Sequence, residues 1–519
     1  MQILSQIDTT NKGIESLEDQ PAQLLDQLSH HTLKLDRFIR DAARRDTAVH
    51  EVEQEIWRRI LALGRETLSL YFQLMGDGDM GEEVQLPDGR HVRRLPEPHL
   101  RPYQSIFGSF EIPRAVYGTR EGQKIEFVPL DQRLGLPESK FSYVLQDWDQ
   151  SFAVESPYAE VDSKLQKILG FSQSVDSLER MNRKMAESVV DYWDSLEPPP
   201  ASEEGEWMVA SADGKGVVMR RTATTAAIEG HQKSKGPKPG AKKIALLGAT
   251  YTVDRNVRTP EQVVDALFRK PHANDDNRSR DRPRPRHKRV RASLERSPEG
   301  TMDPATAEIF GWMALEVEQR NPDGKKPFLI LMDGQESLWD AATTQLPKNA
   351  IPILDLLHVT PRLWQAAYFF HPKGGASTAQ FVRDRVLRIL RGETTSVITG
   401  LRRMATVSGL RGRKRKDLEK ICKYFENNQH RMRYDQYLAA GYPIATGVIE
   451  GACRHLVKDR LERTGMHWVL EGAQAMLDLR SVHLADQWDE FTAFRIRKDL
   501  ERLYPYAELT DNMRQQKTA

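Results

Sequence analysis

The run Pro327-Phe-Leu-Ile-Leu-Met332, closed by Asp333-Gly334, limits what this chain can fold into more than any other stretch. Residues 328–332 are wholly apolar, with no polar alternation. A short run of this kind reads as a strand buried on both faces, as in a sheet covered by helices on each side. From Trp207 onward the pattern around it reads as strands at 208–212, 216–220 and 244–253, helices at 260–268 and 306–320, the apolar strand, and a further strand at 351–354. This mixed order, with acids at strand ends, is that of a ribonuclease-H-like α/β core. In open sheets of this class, sites gather at the carboxyl ends of the strands.

Two of those ends carry aspartate before glycine. Asp213 follows Met208-Val-Ala-Ser-Ala, and Asp333 follows the apolar run. A third carboxylate, Glu450, opens a late helix in Tyr442-Pro-Ile-Ala-Thr-Gly-Val-Ile-Glu450-Gly-Ala-Cys-Arg-His, with Thr446 placed to cap it. Three carboxylates on separate elements suit Mg²⁺, which takes hard oxygen ligands and keeps several waters. Two such ions, about 3.5–4 Å apart, clamp the attacking and leaving oxygens of an in-line phosphoryl displacement. Each Asp-Gly alone is a common turn. Glu450 has its own plain reading as the partner of Arg454, which with Lys458 follows at i+4 and i+8 on one helix face. His455, Arg460 and Arg463 add basic character to the same segment. Asp355-Leu-Leu-His358 places an acid and a histidine at a strand–helix junction, where they serve one site or are simply a helix cap and a satisfied ring. Asp254, Glu336 and Asp340 are further acids nearby, the last two placed as helix-start charges. The sequence offers no P-loop pattern and nothing that supports a serine or cysteine nucleophile.

At 519 residues the chain has room for several domains of about 150 residues. Residues 1–80 read as an N-terminal helical region, polar and loosely helical to residue 30, with helical periodicity from 32 to 75. Residues 81–135 change period to a small β unit. Asp88-Gly89 signals a tight turn, and strands are expected at 110–117 and 124–128. Residues 136–196 are helical and include a helix-turn-helix-like piece. Leu165, Ile168 and Leu169 end one helix, Gly170 breaks it, and Ser174 can cap the next. Val175, Leu178, Met181 and Met185 fall on one face of that second helix, and Asp176, Ser177, Arg180 and Lys184 on another. The polar face suits a major groove or plain solvent. A Pro-rich and acidic linker occupies 197–206. The core then spans 207–371, an all-helical insertion 372–441, the last part of the core 442–490, and a C-terminal helix and tail 491–519.

The net charge of +2 conceals strong local segregation. Residues 277–291 carry eight Arg or Lys and almost nothing apolar, so a mobile basic loop is expected, with Arg284, Arg286, Lys288 and Arg289 free for phosphates. Arg413 and Lys414 lie in a second basic cluster at 411–416, which tracks a strand backbone or is solvated. Two cysteines, Cys422 and Cys453, exclude a disulfide framework and any Cys-x-x-Cys pair, and a reducing compartment is expected. The N-terminus lacks a signal-peptide pattern. No stretch approaches the roughly 18 apolar residues of a membrane span.

With these residues in place, the chain resembles bacterial insertion-sequence DDE transposases of the ISKra-type group, relatives of the Mutator-like transposases. The resemblance runs from about residue 130 to 485. It is carried by Gly447-Val-Ile-Glu-Gly-Ala-Cys-Arg-His-Leu-Val-Lys-Asp-Arg-Leu-Glu-Arg-Thr-Gly-Met-His-Trp468, by Gly472-Ala-Gln-Ala-Met-Leu-Asp-Leu-Arg480 and by Pro129-Leu-Asp-Gln-Arg-Leu-Gly-Leu136. It implies that Asp213, Asp333 and Glu450 are the catalytic and metal-binding triad, with Asp355 and His358 supporting the active site. It implies Mg²⁺ as cofactor, with Mn²⁺ as a substitute, and DNA cleavage at terminal inverted repeats followed by strand transfer into target DNA. The partners implied are double-stranded DNA and further copies of the chain on paired ends, in the bacterial cytoplasm at the nucleoid, with no membrane. Many members carry a Cys-x-x-Cys-like element just before the Pro-Leu-Asp stretch. Here that place reads Tyr117-Gly-Thr-Arg-Glu-Gly-Gln-Lys, so no zinc is expected. The alternatives are a ribonuclease-H-like nuclease or resolvase that cuts without joining, and a non-catalytic DNA-binding protein derived from a transposase.

Overall fold

A computed structural model of the protein describes residues 19–119, 125–220, 242–268, 283–294, 304–445, 447–463 and 465–506. They fall into two compact units, 1–181 with 489–519 and 182–488. In the first, α1 (Asp19–Arg44) and α2 (Val49–Met75) pair along their lengths, so helix begins ahead of residue 32. The turn at Asp88-Gly89 joins β1 (Glu83–Gln85) to β2 (His91–Arg94), with Gly89 at φ 87°. The hairpin β3 (His99–Ser105) and β4 (Gly108–Arg114) stands apart from the sheet that β5 (Tyr117–Gly118) completes beside β2. The strand expected at 124–128 contributes an isolated bridge from Phe127 to Tyr117. The Pro-Leu-Asp stretch forms α3 (Pro129–Leu134), whose buried Asp131 accepts from Arg101 at 2.5 Å and from Arg114.

Three helices follow, α4 (Tyr143–Ala153), α5 (Tyr158–Leu169) and α6 (Val175–Ala186). Gly170 ends α5 at φ 79°, a left-handed conformation that glycine adopts without a Cβ clash. Ser174 Oγ then accepts from the Ser177 amide at 3.2 Å. Leu178, Met181 and Met185 are buried, as their spacing predicts, while Val175 at the first turn is exposed.

The second unit opens with α7 (Val189–Asp194) and is built on one five-stranded sheet. Its strands are β6 (Trp207–Val218), β7 (Lys242–Val253), β8 (Arg286–Leu294), β9 (Phe328–Met332) and β10 (Ile351–Leu354), with α8 (Pro260–Leu267) after β7 and α9 (Pro304–Arg320) after β8. The order is β10-β9-β6-β7-β8. β7 runs antiparallel to both β6 and β8, and β9 and β10 run parallel to β6. Side chains alternate across the sheet. Met208, Ala210, Phe328, Ile330 and Met332 pack with α9 and α10 (Glu336–Gln345). Val209, Tyr251, Leu329, Leu331 and Ile353 pack on the other side, with α11 (Leu356–Ala367), α12 (Ala376–Leu390), α13 (Thr394–Val407), α14 (Gly412–Asn428) and α15 (Tyr434–Ala440). The helical insertion is therefore a layer of the same core. Tyr434 and Tyr437 of α15 donate their hydroxyls to the carbonyls of Leu354 at 2.8 Å and Pro352 at 2.9 Å, tying it to β10.

Two expectations are corrected here. Residues 208–212 and 216–220 are not two strands: β6 runs unbroken from Trp207 to Val218 and pairs with β7 throughout. Gly214 and Gly216 stay extended in the ladder with β7, and Ile244 and Lys242 of β7 lie 3.0 and 3.2 Å from where their Cβ atoms would stand. Nor is 286–291 a mobile loop; it forms most of β8, the edge strand. Residues 277–282 of that basic run lie outside the described residues. Several of its charges meet partners that hold the strand: Arg286 reaches Asp254 at 2.5 Å and Arg289 reaches the buried Glu316 at 2.8 Å. The guanidinium of Arg291 sits 4.3 Å from the Trp193 ring centre and 4.9 Å from that of Trp312. Burial pulls the Arg291 pKa down to about 10.

The rest of the unit is α16 (Gly447–Ala452), a π-helical stretch at Cys453–Lys458, the short α17 (Asp459–Leu461) and α18 (Leu470–Leu484). The last element, α19 (Trp488–Leu503), packs its length in the first unit, where Arg495 donates to Gln146 at 3.0 Å. No described helix is long and apolar enough to cross a membrane.

Candidate active site

The site is assembled at the carboxyl ends of the parallel strands. β6 pairs with β9 from Met208–Phe328 to Ala210–Ile330, and the Ser211 hydroxyl continues the contact to the Leu331 carbonyl at 2.6 Å. Carried on, this register sets Asp213 level with Asp333. β10 pairs with β9 up to Leu354–Met332, and the Asp355 amide donates to the Met332 carbonyl at 2.8 Å, so Asp355 stands in the same row. Three aspartates thus occupy one level on three neighbouring strands. Asp213 lies within β6 and not after it. It stands beyond the end of the β6–β9 ladder, and its carboxylate is half-buried.

Each acid is held differently. Asp333 accepts from the Gln335 amide at 2.9 Å, and its carbonyl accepts from the Trp339 indole at 2.6 Å. The chain turns at Gly334 against the ring of Tyr424, whose atoms approach within 2.3 Å of a hypothetical Cβ, so only glycine fits there. Tyr424 comes from α14 and carries the Arg362 guanidinium 3.6 Å from its ring centre. Asp355 is buried and caps α11 through the Leu357 amide at 2.8 Å. That is the capping role its spacing allowed, and it leaves His358, one turn on, as the group that faces the site. His358 Nε2 lies 3.1 Å from Glu450 Oε1.

The late helix closes the cluster. Cys453 Sγ donates to Asp213 Oδ2 at 3.3 Å, three residues after Glu450. Burial raises the Cys453 thiol far above its ordinary range, and the Asp213 charge adds to this. Burial also raises the Asp213 carboxyl; the Cys453 and Gly214 hydrogen bonds oppose it, and the charge of Asp333 reinforces it. Thr446, the expected cap, lies outside the described residues. Just past Glu450 the helix widens to a π-turn over Cys453–Lys458. Such turns recur at functional sites. The Arg480 guanidinium of α18 stabilises this one by donating to the carbonyl of Leu456 at 3.0 Å and to that of His455. Arg454 and His455 both turn toward Asp459, at 3.9 and 2.9 Å.

Much of the Gly447–Trp468 motif is structural. Arg460 is buried with its guanidinium 5.1 Å from the Trp468 ring centre, and Trp468 extends β6 by accepting from Arg220 at 2.7 Å and donating to Val218 at 3.0 Å. Arg463 donates to the Asp459 carbonyl at 2.8 Å. Asp254 is taken up by Arg286, and Glu336 and Asp340 are exposed on α10.

The expected DNA-contacting cations divide into two sets. Arg284, Lys288, Arg413, Lys414, Arg454 and Lys458 are exposed, with Arg413 only loosely near Asp417 at 3.7 Å. Arg180 and Lys184 are exposed on α6 but paired within it or just beyond, to Asp176 at 3.2 Å and Glu187 at 2.8 Å. Arg286 is exposed but engaged by Asp254. Arg289 is a correction: its ion pair with Glu316 and its 2.9 Å bond to the Glu197 carbonyl make it a structural cation.

Among the described residues no group of three or more His, Cys, Asp or Glu side chains is arranged as a ready-made metal cage. The donor set nonetheless suits a hard cation. Asp213 and Asp333 offer oxygen, and two carboxylates at one level repel each other until a cation lies between them. Sequence reasoning did not anticipate Cys453 or Tyr424. The only signal for Cys453 was its place one turn beyond Glu450, and Tyr424 gave none. No protein-family model matches the chain, and neither does any curated protein.

Proposed function

We propose that the protein is a DDE transposase, cutting DNA at the ends of a mobile element and joining the freed 3′-hydroxyls to target DNA. The observation that carries this reading is the convergence of Asp213, Asp333, His358 and Glu450 from β6, the end of β9, α11 and α16, with Cys453 bonding the late helix to Asp213. The sheet order, three antiparallel strands extended by two parallel ones, supports a ribonuclease-H-like core. Asp213, Asp333 and Glu450 would hold the divalent ion. When bound, Mg²⁺ supplies Lewis-acid stabilisation to the attacking and leaving oxygens. His358 orients Glu450, the Gln335 amide fixes Asp333, and the thiol of Cys453 fixes one oxygen of Asp213. Lys288, Arg454 and Lys458, exposed around this cluster, are suited to backbone phosphates.

The test is Mg²⁺-dependent cleavage of a duplex carrying the repeats that flank the gene, wild type against Asp333→Asn, Asp213→Asn and Glu450→Gln. The expected result is cutting at the repeat boundary by the wild type alone, with DNA binding retained by all four proteins. Metal-dependent cutting retained by any of the three variants would sink the triad assignment. Pre-cut ends then separate a transposase, which joins them to a second duplex, from a nuclease, which does not. Binding without cutting by every protein would favour a non-catalytic DNA-binding role.

A further inference from the structure

Beside the acidic cluster, on the far side of α16, the second unit holds a cleft of about 660 Å³. This lies within the roughly 300–1,000 Å³ of sites that enclose small ligands. Its two walls differ in character. One is the face of α16 and the π-turn that carries Gly447, Val448, Gly451 and His455. A Cβ at Gly447 would meet nothing within 4 Å, and one at Gly451 only the His455 ring at 3.9 Å, so the space in front of this wall is left open by the absence of side chains. The other wall is the outward face of β8 and the end of α18, with Lys288, Val290 and Leu484. Strand alternation explains that face: Arg289 and Arg291 turn to Glu316 and the tryptophans, so Lys288 and Val290, which alternate with them, turn the opposite way. Arg284 and Lys288 are exposed, and Leu484 leaves 41% of its surface in solvent.

An apolar recess flanked by cations matches one chemical shape, a flat apolar group that carries an anion at its edge. A paired duplex presents phosphates to a surface but keeps its bases stacked, and would use the cations without the recess. A nucleotide turned out of the stack uses both. We propose that the cleft takes one extrahelical nucleotide of the DNA held at the active site, its base against Val290, Val448 and Leu484 and its phosphate on Arg284 and Lys288. The inference rests on the DNA-cutting reading above and deepens it: Gly451, in the cleft wall, directly follows Glu450, so α16 alone would separate the held nucleotide from the acidic cluster, and holding it would fix the register of the strand.

The test uses the full-length Asp333→Asn protein, so that cutting does not interfere, and two labelled duplexes of one sequence. One is fully paired with 2-aminopurine in place of one adenine. The other carries the same 2-aminopurine as a single-nucleotide bulge, which needs no unpairing to enter the cleft. Binding is followed by anisotropy and the base by its own emission, which stacking in the duplex quenches. Among the described residues that line the cleft there is no Phe, Tyr or Trp, so a captured base should brighten. The expected result is about tenfold tighter binding of the bulged duplex, with emission raised several-fold. Leu484→Trp, which fills the recess, should remove both effects and leave binding of the paired duplex unchanged. Lys288→Ala, on an exposed edge, provides a second variant that does not touch the packing. It should weaken the bulged duplex more than the paired one and reduce the salt dependence of its binding by about one phosphate. Equal binding of both duplexes with flat emission overturns the cleft assignment and leaves the DNA-cutting reading standing. Failure to bind either duplex overturns both.

Discussion

At the scale of single residues, the cluster separates groups that would touch the metal from groups that hold those in place. His358 and Cys453 belong to the second kind, since each meets one carboxylate of the proposed triad. Residues that orient ligands typically contribute about 10–100-fold to metal affinity or activity. His358→Ala and Cys453→Ala should therefore each reduce cleavage by about that factor, with much of the loss recovered at high Mg²⁺. Cys453→Ser keeps a hydrogen-bond donor toward Asp213 and should stay within a few-fold of the wild type. A titration of initial rate against Mg²⁺ decides it: losses that no metal concentration relieves would mean the two residues act on something other than ligand orientation. Asp213 and Asp333 stood out in the sequence because each follows an apolar run and precedes a glycine, and Glu450 stood out as an acid opening a late helix. The partners did not. That Cys453 reaches Asp213, 240 positions away, depends on how α16 lies against β6, and no local pattern encodes that. Asp355 and His358 show the limit from the other side. Their spacing allowed either a shared site or a cap, and the fold uses one residue for each.

At the scale of elements, the same contrast separates β9 from β8. The apolar β9 was readable because burial on both faces leaves one pattern. β8 was hidden because its alternating faces are both basic, and only the partners distinguish them: Glu316, Trp193 and Trp312 on one side, the cleft on the other. The helix-turn-helix-like piece was legible through Gly170 and Ser174, yet its buried polar support was not. Asp149 on α4 is fully buried and accepts from the Gln173 side chain, which stands in the turn before α6. Burial pushes the Asp149 carboxyl up to about 7, with the Gln173 bond opposing. The folded state thus holds this proton more tightly than the unfolded chain, whose carboxyl titrates near 3.8. The contribution to stability is full below pH 3.8 and is lost as the pH rises toward and through 7. At 1.36 kcal/mol per pKa unit, the loss by pH 8 is on the order of 4 kcal/mol. Asp149→Asn keeps an acceptor for Gln173 and has no charge to bury. It should melt higher than the wild type at pH 8 and about equally at pH 4. Parallel melting curves across that range, with no gap opening at the alkaline end, would show that the carboxylate is solvated in the folded protein.

At the scale of the whole molecule, the division of the chain is not the one its composition announces. The Pro-rich stretch at 197–206 reads as a linker, but the first unit ends earlier and takes its last helix from the other end of the sequence. α19 supplies Arg495 to Gln146 at 3.0 Å, and beyond it the Tyr504 hydroxyl donates to the Leu136 carbonyl and Gln132 donates to the Tyr506 carbonyl at 2.6 Å. Arg495 is almost wholly buried, its guanidinium 5.4 Å from the Tyr143 ring centre, and burial lowers its pKa. None of this was legible, because a helix that closes a unit across more than 300 intervening residues has the same periodicity as one that ends its own domain. The consequence is a testable asymmetry. Deleting residues 489–519 takes a buried side chain away from its partners Gln146 and Tyr143 in the first unit and removes no strand or core helix from the second, whose sheet ends with Leu354 and whose site ends with Cys453. Calorimetry of the shortened chain should show the transition of the first unit lowered or lost and that of the second unchanged. Because the acids, His358 and Cys453 all lie within 182–488, the shortened chain should also keep the Mg²⁺ binding proposed for that cluster, while any DNA contact made through α5 and α6 weakens. If both transitions fall together, the two units unfold as one, and the division at residue 181 is a boundary of packing with no thermodynamic meaning.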